Sequence, residues 1–141
     1  MPSTYATNSG IELIRNGEQS GTWGTTTNNN WSITDRLTNG VGTITLGGPT
    51  KTLLTSDGAL SEGQYRVLVL ASGTEACTIT ISPNDGQHLY FVVNGSGYDA
   101  TFTQGSGGDV TISNGDNAVI YADGAGATAR VVNVTNNFGM S

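Results

Sequence analysis

The chain has 141 residues, which suits one ordinary domain; 35% of them are hydrophobic and only 11% are charged. Its net charge is −6 and its five basic residues are scattered, which excludes the basic stripe that nucleic-acid binding requires. The longest apolar run, VLVLA at 67–71, is too short to span a bilayer. Gly, Thr, Ser and Asn take the place of charged residues, and this composition is typical of a β protein with many tight turns.

The first 40 residues differ from the rest. They open without the basic and apolar regions of a secretion signal, so we expect none. A brief apolar segment, IELIRNG at 11–17, is followed by a polar loop. The stretch NNNWSITDRLTNG then predicts one short helix over about 31–38, with Asn30 or Ser32 as its N-cap and Gly40 after its end.

Two tryptophans flank the polar stretch in GEQSGTWGTTTNNNW, residues 17–31. We expect Trp23 to hold the extended arm and Trp31 to start the helix. Either both pack on the chain's own sheet, or at least one lies in a subunit contact, where Trp is enriched. We favour a neighbouring subunit. The predicted interface residues are Ile11, Leu13, Ile14, Trp23, Trp31 and Leu37.

From residue 41 onward, apolar and polar residues alternate between turn signals, which predicts a series of strands. In VGTITLG, for example, Ile44 and Leu46 share one face. The more continuous runs at 64–72 and 88–94 suit central strands, and 51–56 suits an edge. The predicted strands are 41–47, 51–56, 64–72, 75–82, 88–94, 99–104, 109–114, 117–123 and 129–135.

The turns between these strands carry Asn-Gly, Asp-Gly or paired Gly, and no helix intervenes. This organisation predicts an all-β fold, an antiparallel, jelly-roll-like β-sandwich at 41–141. Residues 1–40 form an N-terminal extended arm with the short helix, for docking or for interlocking subunits. A β-solenoid is the main rival, and we disfavour it because no fixed residue period is found.

Candidate catalytic residues are few. His88, the only histidine, opens a strand beside a turn and is predicted to be solvent-facing or at the rim. Cys77, the only cysteine, lies in an alternating apolar run and is predicted to be a buried thiol. One His and one Cys cannot form a zinc site. We therefore predict no enzyme, no cofactor and no metal.

The turn aspartates leave two alternatives open. They would gather round a calcium ion if their loops converge, although turn formation is favoured for Asp at such positions. A glycan hydrolase needs paired carboxylates, and we disfavour it because the acids fall in turns rather than in strands. The residues concerned are Asp85, Asp99, Asp109, Asp116 and Asp123.

The segment IELIRNGEQSGTWGTTTNNNWSITDRL, residues 11–37, resembles structural proteins of tailed bacteriophage particles, especially tail-fibre or virion proteins of marine and cyanobacterial phages. The later pieces LLTSDGA, RVLVLASG, LYFVVNGSG, VTISNG and AVIYADGAG match in the same order, so the resemblance covers most of the chain. The first motif is moderately specific, whereas the later ones are common β-and-turn sequence.

The resemblance implies a non-enzymatic virion component that is made in the host cytoplasm and is commonly oligomeric. We expect a homo-oligomer, with a trimer favoured, that attaches to a major capsid protein or to a tail or portal component. The chain lacks the shaft repeats of larger fibre proteins, so a small capsid decoration protein fits as well as a tail-associated subunit. The alternative is a carbohydrate-binding module that contacts host-surface glycans through Tyr98 and Tyr121. No membrane insertion is expected.

Overall fold

The computed structural model describes residues 3–135. Two short 3-10 helices lie at Glu62–Gln64 and Gly126–Thr128. The other elements are β1 (Thr4–Tyr5), β2 (Glu12–Leu13), α1 (Trp23–Asn39), β3 (Val41–Thr45), β4 (Thr50–Leu54), β5 (Val67–Ala71), β6 (Cys77–Ser82), β7 (His88–Asn94), β8 (Ala100–Thr103), β9 (Val110–Ile112), β10 (Asn117–Ala122) and β11 (Val131–Asn133).

The strands from β3 onward form two sheets, and from β3 to β8 the chain alternates between them. The five-stranded sheet has the order β11-β10-β7-β5-β3, and the four-stranded sheet has the order β4-β6-β8-β9. The pairs β3–β4, β5–β6 and β7–β8 are therefore three successive coils of the chain. Each strand lies parallel to the equivalent strand of the previous coil. This stacking of coils is the arrangement of a β-solenoid.

The last three strands close the stack with antiparallel pairs: β9 lies against β8, β10 against β7 and β11 against β10. Alternate residues of both sheets point into one shared hydrophobic core. Its largest fully buried aromatic side chains are Tyr90 on β7 and Phe102 on β8. The inward-facing residues predicted on β3, Ile44 and Leu46, are both buried.

The mostly β fold is confirmed, and a jelly-roll-like sandwich is not. The predicted antiparallel pairing is found in three of the seven strand pairs of the two sheets and is wrong for the other four, which are parallel. Alternation along a strand tells which residues face the core, but it carries no information on which strands are neighbours. The coils also differ in length, because Val41 pairs with Val67 whereas Val67 pairs with Phe91. This variation leaves no fixed period in the sequence. The edge position predicted for β4 and the internal positions predicted for β5 and β7 are confirmed.

The predicted helix ends where expected, but it begins earlier. Its C-cap is Gly40, whose N–H donates to the Arg36 carbonyl oxygen at 2.8 Å. Its first residue is Trp23, so Trp31 lies inside the helix, and neither Asn30 nor Ser32 is the N-cap. Gly, Thr and Asn have low helix propensity, and tertiary hydrogen bonds from the Asn side chains compensate for this.

The segment before the helix is not simply extended. Strands β1 and β2 pair antiparallel as a small hairpin. The hairpin segment is tied to its own chain, because Gly58 N donates to Gly10 O at 2.6 Å and Gln87 N donates to Asn8 Oδ1 at 2.8 Å. The hairpin and α1 therefore lie beside the two sheets of the same chain.

Candidate functional site

Helix α1 carries two large aromatic side chains on its solvent side. Trp31 is 67% exposed and Trp23 is 62% exposed, whereas Ile33 is the residue of this helix that is buried. At 3.6 residues per turn, Trp31 lies roughly 160° around the helix axis from Ile33, and Trp23 lies roughly 80° from it. The interpretation in which both tryptophans pack on their own sheet is therefore wrong. A contact with a neighbouring subunit stays a prediction.

Beside the buried Ile33, two asparagines hold the inner side of α1 by hydrogen bonds. Asn30 Nδ2 donates to the Glu12 carbonyl oxygen at 2.9 Å, and Glu12 N donates back to Asn30 Oδ1 at 3.0 Å. Asn29 Nδ2 donates to the carbonyl oxygen of Gly58. These bonds join the helix to β2 and to the loop after β4. They fix the rotation of the helix, and that rotation turns both tryptophans outward.

An open cleft of about 570 Å³ lies between the helix and the start of β3. Trp31, Val41 and Leu60 supply its apolar walls, and the last two side chains are 64% and 45% exposed. The Arg36 guanidinium lies 4.2 Å from the Tyr65 ring centroid and donates to Ser61 O at 3.2 Å. A cation over an aromatic face in this geometry stabilises both side chains, so this wall of the cleft is preorganised.

The outer face of the five-stranded sheet is mostly apolar, and its polar residues are Thr43, Thr45 and Asn117. Val41, Val67, Phe91 and Val119 form one row of directly paired residues across four strands. We name this surface the valine face; it also includes Val69, Val93, Leu89, Tyr121 and Val132. On β7 alone, three large hydrophobic side chains are each more than two fifths exposed. A shallow groove of about 630 Å³ opens here, beside Phe91, Val93 and Val119.

Sequence reasoning missed the valine face, although its signal is present. The runs VLVLA and HLYFVVN are apolar at nearly every position. Such runs are typical of strands that are covered on both sides, and we therefore predicted them as central strands. In the structure only the inner side is covered, so Leu89, Phe91 and Val93 face solvent.

The structure distributes the six predicted interface residues unevenly. Leu13 on β2 is 51% exposed, like the two tryptophans, whereas Ile11, Ile14 and Leu37 are half-buried. Ile11 also accepts a hydrogen bond from Ala6 N at 2.8 Å within the hairpin. Only the exposed members offer a large apolar area to a partner, and a contact at any of the six stays a prediction.

The two predicted glycan contacts do not share a site. Tyr121 pairs with Leu89 at one end of β7. Tyr98 follows the other end of that strand, where its carbonyl oxygen accepts a hydrogen bond from Asn94 Nδ2 at 2.8 Å. Five residues of strand, about 17 Å, separate Leu89 from Asn94. A glycan contact at either tyrosine stays a prediction, but one sugar ring cannot contact both.

His88 is buried rather than solvent-facing, contrary to the prediction. It is 8% exposed, stacks on Tyr90 with the ring centroids 5.4 Å apart, and its Nε2 lies 3.4 Å from Thr55 Oγ1. Burial lowers the pKa of His88 to about 4, so the ring is neutral at pH 7. Burial also raises the pKa of Tyr90, whose hydroxyl donates to Gly63 O at 2.6 Å. These contacts are those of a core histidine.

Cys77 is a buried free thiol, as predicted, and its burial raises the pKa of the thiol. Within residues 3–135, no group of three or more His, Cys, Asp or Glu side chains could hold a metal ion. Over the same residues, no helix is long and apolar enough to cross a membrane.

Comparison with known proteins adds no relative to this description. No protein-family model, no curated protein and no solved structure matches the chain.

Proposed function

We propose that this chain is a non-enzymatic structural subunit of a bacteriophage particle, a small capsid decoration or tail-associated protein that assembles on the particle surface. It forms a symmetric homo-oligomer, with a trimer favoured, and attaches to a major capsid protein or to a tail or portal component. The resemblance of residues 11–37 to phage structural proteins supports this class.

One observation supports the proposal most: a helix held in place by hydrogen bonds turns two tryptophans into solvent. Trp23 and Trp31 are both more than three fifths exposed. Trp is enriched among the residues that dominate binding energy. Replacing one such residue by alanine typically costs about 2 kcal/mol or more of binding free energy. Asn30, which bonds both backbone groups of Glu12, keeps the helix in this orientation before any partner arrives.

The test compares particle occupancy between two variants. In the W23A/W31A double variant we expect the copy number of the chain in purified particles to fall at least about tenfold, because two aromatic anchors are lost. Quantitative mass spectrometry of the particles measures this number. The matched control is Asn28→Ala, an exposed side chain on the same helix, which should leave occupancy unchanged.

Absence of the wild-type chain from purified particles would reject the proposal outright. Equal occupancy of wild type and the double variant would reject the role of the tryptophan helix in attachment. Circular dichroism of both variants shows whether the fold is retained, since neither substitution touches the buried core.

A further inference from the structure

We propose that the valine face is an interface between copies of this chain, so that the partner of the five-stranded sheet is the same sheet of a neighbouring subunit. The inference deepens the proposed function by naming a surface and its occupant. It rests on the proposed function only in expecting assembly, and the oligomeric state of the purified chain tests it separately from attachment to a particle.

The valine face is apolar along two of the rows that cross the sheet, whereas a third row has Val69 and Val93 between Thr43 and Asn117 at its ends. The row Val41–Val67–Phe91–Val119 crosses four of the five strands without a polar residue. The flanking row pairs Leu89 with Tyr121, which in turn pairs with Val132. A continuous apolar patch of this extent is as large as the largest patch on a typical monomer, and such patches are often binding sites.

The outer face of the four-stranded sheet differs from the valine face in its chemistry. Seven of its outward-facing positions are threonines: Thr50, Thr78, Thr101 and Thr111 form one row, and Thr52, Thr80 and Thr103 form the next. The pair Leu54 and Ser82 follows at the end of β4 and β6. Val and Thr have nearly the same shape and similar strand propensity. On the described strands of the five-stranded sheet, outward threonines occur only at Thr43 and Thr45 of the edge strand β3. Its inner strands β5 and β7 carry Val, Ala, Leu and Phe where the inner strands of the other sheet carry mostly hydroxyls. This difference indicates a covered surface on the five-stranded sheet.

The absence of charge on the valine face fits a second copy as its occupant; the outer face of the four-stranded sheet is uncharged as well over its described strands, so its hydroxyls distinguish it from the valine face. The chain carries a net charge of −6, so two copies repel each other wherever carboxylates meet. None of the outward-facing residues of the described strands β3, β5, β7, β10 and β11 is charged at neutral pH. A symmetric contact brings the same or neighbouring residues of the two copies together. On an uncharged face, such a contact places no like charges opposite each other.

The size of the face agrees with this assignment. With five strands about 4.8 Å apart and about five residues long, the face measures roughly 24 by 17 Å, or about 400 Å² in plan. Side-chain relief adds to this area. Val41 also belongs to the cleft beside Trp31 and Leu60, so the valine face continues onto the helix. The plan area of the face alone is about half of the roughly 800 Å² that each partner buries in a stable complex, and the side-chain relief and the cleft add to it.

The experiment measures the mass of the purified full chain by light scattering over a dilution series. We expect an oligomer of the 14.5 kDa chain. Phe91→Lys should weaken self-association at least about thirtyfold, because it places a charge at the centre of the interface. Val41→Lys, at a side chain that is 64% exposed, provides a second variant that leaves the core untouched. The control is Thr80→Lys, the matching exposed position on an inner strand of the four-stranded sheet.

A wild-type chain that stays monomeric at every concentration overturns the inference, even if the valine face later proves to bind another protein. An oligomer that survives both Phe91→Lys and Val41→Lys overturns it as well, because self-association then uses another surface. An oligomer that Phe91→Lys dissociates and Thr80→Lys does not supports it. If that oligomer is absent from phage particles, the proposed function fails while this inference stands.

Discussion

The outer faces of the two sheets are built from strands of similar length and the same inward alternation, yet they carry opposite chemistry. The four-stranded sheet presents two rows of threonines, and Thr101 Oγ1 lies 2.8 Å from Thr111 Oγ1 on the neighbouring strand. The five-stranded sheet presents Val, Leu and Phe at the equivalent positions. Strand propensity explains the β-branched residues on both faces. It does not explain the difference, for which the proposed interface on the valine face would account.

The largest expected effect separates inner from outer faces. Phe102 on β8 is fully buried, whereas Phe91 on β7 is 43% exposed. Phe102→Ala should lower the free energy of unfolding by about 3–5 kcal/mol, because it opens a cavity in the shared core. Phe91→Ala should cost only about 1–2 kcal/mol in the monomer, since part of its surface already contacts water. Urea unfolding of diluted protein measures both values.

Equal losses for the two variants would contradict this reading of the sheets. They would mean that Phe91 is as well packed within one subunit as Phe102, and the valine face would then need no second copy to cover it.

The next effect concerns the inner side of β7, the strand whose outer side carries Phe91. The pKa of His88 is lowered by burial from 6.5 to about 4, so the folded state keeps the ring neutral. The contribution of neutral His88 to the free energy of unfolding is fully present above pH 6.5 and is lost as the pH falls towards 4. The loss should reach about 3 kcal/mol. His88→Gln should flatten this part of the pH dependence, as measured by urea unfolding at pH 7 and pH 4.5.

Carboxylates also titrate in this range, so the informative quantity is the difference between wild type and His88→Gln at each pH. A difference that stays constant from pH 7 to pH 4.5 would show that His88 does not become charged on unfolding.

The smallest expected effect on stability comes from making the outer face of the four-stranded sheet apolar. Replacing Thr52, Thr80 and Thr103 together by Val should change the free energy of unfolding by less than about 0.5 kcal/mol per site, because the three positions are at the surface. The same change should increase retention on a hydrophobic-interaction column, because a second apolar face is created. Unchanged retention would show that the threonine hydroxyls do not make this face more hydrophilic.

The sequence predicts the strands of this protein well because period-2 alternation is a local property. All nine strands expected after residue 41 occur within the described residues at the expected places, with inward residues such as Ile44 and Leu46 buried. The buried state of Cys77 follows from the same alternation. The continuous apolar runs on β5 and β7 are typical of strands that are covered on both sides. We did not predict from the sequence that the outer side of these strands is exposed.

Only the tertiary structure decided which strands are neighbours, which way α1 faces and where His88 lies. Parallel stacking of the coils depends on contacts between residues far apart in sequence, such as Val67 with Phe91. The helix extends back to Trp23 through residues of weak local propensity, and the bonds of Asn30 to Glu12 and of Asn29 to Gly58 stabilise this part of it. Alternation is thus set along the chain, whereas strand partners and helix rotation are set by long-range contacts that no local pattern encodes.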